Sequence, residues 1–117
     1  PETRHNACQR IHKSIAAEPL YIAGHDRACS AINSAYGEAI TVKTGAEGVY
    51  SAAFHELGLG TVLKARDGNK RGAEVAIGAV IRALGYPTDG LVKNFFEPKV
   101  LNWAGEEVGD ITVPQFL

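Results

Sequence analysis

Apolar positions along the chain fall into three helical stretches and one block of alternating residues. From Thr3 to Ala17, Ala7, Ile11 and Ile15 recur every four residues with Arg4, Arg10 and Lys13 off that stripe, so the spacing predicts an amphipathic helix that Pro19 ends. Leu20 to Gly24 reads as a short extended link. Asp26 supplies an N-cap for a second helix over about Arg27 to Tyr36, which Gly37 closes. Alternation and β-branching then predict strands over Ala39–Lys43, Val49–His55 and Leu59–Ala65, with a hairpin at Glu56-Leu57-Gly58.

Asp67-Gly68-Asn69 signals a turn, and the following Lys70 to Leu84 aligns Ala73, Ala76, Ile77, Val80, Ile81 and Leu84 on one helical face. Gly72, Ala73, Ala76 and Ala79 leave room for another element to approach that helix, and Gly85 with Pro87 stops it. Lys93 to Pro98 reads as loop. Asn94-Phe95-Phe96 and Trp103 are free to cover a core edge or to meet a second subunit, and Val108 to Val113 reads as a last strand after the turn Asn102 to Gly105. Hairpins followed by a long helix define an α+β fold, an antiparallel sheet flanked by helices.

Composition narrows the function classes. A chain of 117 residues fits a single domain over 1–117. Twelve basic and thirteen acidic side chains give a net charge of -1 without blocks of one sign, so neither nucleic acid nor a membrane surface is implied as a partner. No apolar run approaches the roughly 18 residues of a membrane span. The opening Pro1-Glu2-Thr3-Arg4, without a methionine, suggests that the chain begins inside a longer protein. Two cysteines, Cys8 and Cys29, are too few for a secreted disulfide scaffold and point to reduced thiols in a cytoplasm.

Candidate chemistry centres on Lys43-Thr44-Gly45-Ala46-Glu47-Gly48-Val49-Tyr50, a lysine closing a strand before a glycine turn. A serine hydroxyl is too weak an acid to attack an amide at neutral pH, and a neighbouring lysine kept partly neutral by desolvation or a nearby cation can take its proton. Lys-Thr-Gly acts in this context in serine β-lactamases and penicillin-binding proteins. Taken alone, the triplet also describes a solvated turn lysine. Backbone amides near Thr44 to Ala46 are donors suited to a substrate carboxylate or an oxyanion. Glu47, between two glycines, either bonds turn amides or orients Lys43 and a substrate amine. Arg27 either fixes its helix by an ion pair or meets a substrate carboxylate. Cys8-x3-His12 and His25-x3-Cys29 each set two possible zinc ligands four apart, although the order Cys-His-His-Cys departs from familiar zinc modules.

Gly24-His-Asp-Arg27, Lys43 to Tyr50, Glu56-Leu-Gly-Leu-Gly60, Lys64, Asp67-Gly68 and the helix from Arg71-Gly-Ala-Glu74 to Leu84-Gly85 together resemble the C-terminal part of the asparaginase II family. These are the Rhizobium-type L-asparaginases, whose domain has a serine β-lactamase-like, glutaminase-like fold. The resemblance covers about residues 19 to 113 and is densest from 38 to 86. It implies hydrolysis of L-asparagine to L-aspartate and ammonia through two Ser-Lys pairs, in a homodimer. Lys43 matches a base lysine of that family, and Thr44, Gly45, Ala46, Glu47 and Arg27 become candidate substrate contacts. The family also holds zinc, and Cys29 matches the region of a cysteine ligand, with a small buried helical residue as the alternative reading.

One departure stands out. The chain contains no Ser-x-x-Lys, since Ser14, Ser30, Ser34 and Ser51 all lack a lysine three residues on. The expectation is therefore a C-terminal portion, inactive alone, whose nucleophilic serines and further metal ligands lie in an N-terminal segment. The alternatives are a non-catalytic structural or binding domain of the same fold, and a penicillin-recognising relative.

Overall fold

The computed structural model of the protein describes residues 2–114. In chain order it forms α1 (Glu2–Ala17), α2 (Leu20–Ala23), α3 (Ala28–Tyr36), β1 (Ile40–Gly45), β2 (Val49–Phe54), β3 (Leu59–Lys64), α4 (Lys70–Ala83), α5 (Lys93–Phe96), β4 (Lys99–Leu101) and β5 (Glu107–Asp110). Single 3₁₀ turns occupy Gly37–Ala39 and Gly90–Val92. Strands β1, β2 and β3 hydrogen-bond in that order, and β4 and β5 make a separate two-stranded sheet. This is the expected α+β class with a small antiparallel sheet and helices. Among the described residues no helix is long and apolar enough to cross a membrane.

Two of the expected links differ. Leu20 to Gly24 is not extended, because Pro19, with φ -64° and ψ -23°, begins the helical turn α2 rather than only ending α1. Proline is pre-set for that position, where its missing N–H costs nothing. Asp26 does not cap α3 either. It has a φ of 54°, and Arg27 takes the N-cap position with no side-chain hydrogen bond.

The described residues divide into two compact units, one of 2–44 and 51–62, the other of 45–50 and 63–114. In the first, Ala28, Cys29, Ile32, Ile40, Val42, Ala52 and Phe54 are buried. Helix α1 contributes no buried residue, so the Ala7-Ile11-Ile15 stripe is not a core face, and Ile11 is 58% exposed. Its most specific contact is His12, whose ring meets that of His55 edge-on with centroids 4.2 Å apart.

In the second unit, α4 starts at Asn69, whose side-chain oxygen accepts from the Arg71 amide at 3.0 Å, while the Asn69 amide donates to Asp67 at 2.9 Å. Alternate Asx bonds of this kind satisfy donors that a helix start leaves open. Ala73, Val75, Ile77, Gly78 and Ile81 are buried, a wider face than the periodicity gives. Burying a side chain such as Ile77 is worth about 1.5–3 kcal/mol. Small residues do admit a close neighbour, but at Gly78, where an added Cβ would lie 2.3 Å from Phe96 Cγ. Phe96 belongs to α5, so Lys93 to Pro98 is not simply loop, and Val92 and Phe96 are both buried. The last strand runs Glu107–Asp110 instead of 108–113 and pairs with β4 in the register Lys99↔Asp110, Val100↔Gly109 and Leu101↔Glu107.

Candidate functional site

Lys43 stands near the end of β1, and α3 fixes the backbone that carries it. Asn33, fully buried, donates through Nδ2 to the Val42 carbonyl at 3.0 Å and accepts from the Val42 amide at 3.0 Å. The same Nδ2 donates to the Cys29 carbonyl at 2.8 Å. One residue pair further along the strand, the Thr44 amide donates to Cys29 Sγ at 3.1 Å. Amides two apart in a strand point to the same side, so both contacts lie along one edge of β1. On the Lys43 carbonyl, Ser51 Oγ donates at 3.1 Å. The Lys43 side chain itself is exposed, with Nζ donating to the Thr44 carbonyl at 2.8 Å.

Cys29 is buried, and neither cysteine is in a disulfide. Its sulfur meets the strand that the sequence singles out, a position consistent with either of its two readings. Arg27 is exposed, and its guanidinium has no carboxylate partner among the described residues, so it does not serve as a structural ion pair there. Ser30, next to Cys29, is 4% exposed and its Oγ has no hydrogen-bond partner among the described residues.

Gly45, Ala46 and Glu47 belong to the second unit and are all exposed. Glu47 has a φ of 57° and Gly48 one of 72°. Gly48 is the tight point, since an added Cβ would lie 2.8 Å from Ala65 Cβ and 3.1 Å from the Asn69 carbonyl oxygen. Lys64 Nζ donates to the Glu47 carbonyl and, at 3.0 Å, to the Ala65 carbonyl. The Ala65 amide donates to the Gly48 carbonyl at 2.9 Å.

A further polar group joins α1 to the first unit's strands. His55 Nε2 lies 2.9 Å from Thr41 Oγ1, and His12 Nδ1 is buried without a hydrogen-bond partner among the described residues. Burial, and then the neighbouring His55, push the His12 pKa below its ordinary value of 6.5. Cys8, His12, His25 and Cys29 do not gather, for among the described residues no three His, Cys, Asp or Glu side chains could share a metal ion. The zinc arrangement drawn from their spacing is therefore not formed. Cys29 alone does not fit a zinc site without ligands from elsewhere.

Asn33, Lys64 and Ser51 carry this geometry and were not legible as site residues. A signal existed for Asn33, since asparagine is a poor helix former and sits mid-helix beside Ile32, where only a buried partner justifies it.

The chain is thus an α+β domain that presents a lysine on a strand braced by a helix. The family model described as L-asparaginase II matches residues 1–113, and the chain belongs to that family. No curated protein matches it.

Proposed function

We propose that this chain is the C-terminal portion of a Rhizobium-type L-asparaginase with a serine β-lactamase-like domain, and that Lys43 is a base in its Ser-Lys mechanism. The observation that carries the reading is the bracing of β1: Asn33 holds Val42, Cys29 receives the Thr44 amide, and Lys43 lies between them. A base must meet its proton donor within hydrogen-bond reach, and a braced backbone supplies that constancy. Family membership supports an amidohydrolase of the asparaginase type.

In this reading a serine from outside these residues attacks the side-chain amide carbon of L-asparagine and gives its proton to the Lys43 amine. The C–N bond breaks as the protonated lysine returns that proton to the leaving nitrogen, releasing ammonia and an aspartyl ester that water hydrolyses. The Ala46 amide serves as a donor to a substrate oxygen, Arg27 takes the α-carboxylate and Glu47 the α-ammonium. The assembly is a homodimer in the cytoplasm. Zinc at Cys29 takes its other ligands from the N-terminal segment.

Ammonia release from L-asparagine by the full-length protein tests the assignment. Lys43→Ala should lower kcat by about 10²-fold or more, the usual scale of a lost general base. An unchanged kcat removes Lys43 from the mechanism.

A further inference from the structure

Glu47 combines two features that pull in opposite directions. Its backbone is left-handed, with a φ of 57°, a region that costs a residue with a Cβ roughly 1–2 kcal/mol and that glycine or asparagine would adopt more readily. Its carboxylate, meanwhile, has no ion-pair partner among the described residues and is exposed. Backbone cost without a structural use for the side chain is the signature of a residue kept for what its side chain does.

Lys64 supplies the missing support. It stands at the end of β3, and its ammonium donates to the carbonyls of Glu47 and Ala65 rather than to a carboxylate. The cation is thus used on the backbone of Glu47, leaving that residue's negative charge available. The Gly48 carbonyl is held in turn by the Ala65 amide, and Gly48 has no room for a side chain against Ala65 and Asn69. The turn from 46 to 48 is held by Lys64 on one side and packed against the start of α4 on the other.

We infer that Lys64 is a positioning residue for substrate binding, acting through the Glu47 carbonyl to aim the Glu47 carboxylate at the ammonium group of an amino-acid substrate. That role rests on the reading of Glu47 given above. In the full-length enzyme, Lys64→Met keeps the stem and removes the donors, Lys64→Arg keeps a charged donor, and Glu47→Gln removes the charge. Lys64→Met should raise KM for L-asparagine about 5- to 10-fold, near the net worth of one ordinary intramolecular hydrogen bond, with kcat within about two-fold. Lys64→Arg should restore KM, and Lys64→Met should add little on top of Glu47→Gln, as coupled residues do.

A KM unmoved by Lys64→Met, full additivity with Glu47→Gln, or Lys64→Arg behaving like Lys64→Met overturns the inference. A merely structural lysine would lower Tm and leave KM alone. Amide hydrogen exchange separates this inference from the enzyme assignment. If the intact protein releases no ammonia from L-asparagine, the assignment fails, while faster exchange at Ala46 to Val49 in Lys64→Met still upholds the clamp. Unchanged exchange overturns the clamp itself.

Discussion

Asn33 takes both backbone groups of Val42, donating to its carbonyl and accepting from its amide at 3.0 Å each, so a helix side chain occupies the place of a neighbouring strand. A buried amide with all these partners satisfied adds specificity, and the same amide removed leaves two backbone groups stranded.

Asn33→Ala should therefore destabilise the protein by about 2–4 kcal/mol, since each unsatisfied buried group costs about 1–3 kcal/mol. Urea unfolding measures it through the shift in midpoint. A loss under about 1 kcal/mol would show that water replaces the side chain at Val42.

Gly78→Ala sets two effects against each other. Alanine favours the helix over glycine by about 1 kcal/mol. The new Cβ, however, would lie 2.3 Å from Phe96 Cγ and 2.7 Å from Phe96 Cβ, closer than atoms can stand. Phe96 is 3% exposed and has to leave its position, an overpacking cost of about 1–3 kcal/mol. Net destabilisation is expected, with partial recovery when Phe96→Leu is added. A net gain in thermal stability of the single variant would mean that α5 yields freely.

His12 gives the stability a pH dependence whose sign follows from its depressed pKa. The unfolded chain binds a proton at the ordinary value of 6.5, whereas the folded chain resists it. More protons are then bound unfolded than folded, so stability is full above 6.5 and falls as pH drops from there through the folded value. Protonation would also set a charge against the His55 ring, with no carboxylate contributing to the balance at His12. His12→Asn should flatten the acid limb of a plot of unfolding free energy against pH. An identical limb in that variant assigns the slope to other groups.

The long α4, the hairpin of β2 and β3 and the turn glycines were legible because each rests on local chemistry. Gly48 and Gly68, at φ 72° each, lie where Asp-Gly and Glu-Gly signals point. Short pieces were not legible. Four residues such as Leu20–Ala23 or Lys93–Phe96 are too few to display a period, so the residues around Pro19 read as extended and those before Pro98 as loop. Lys43 could be singled out because its motif is contiguous. Asn33 and Lys64 act on backbone 9 and 17 residues away, and no contiguous pattern records such a bond. The α1 stripe misled for another reason: periodicity reports that a helix has an apolar side, not that this side is covered within the same chain.

Trp103, the sole tryptophan, stands wholly in water in the turn between β4 and β5. Its indole emission is therefore that of a solvated ring in the folded chain and changes little in colour on denaturation. The buried phenol of Tyr50 is the better optical witness to unfolding, and a blue shift of the tryptophan band would announce something docking on that turn.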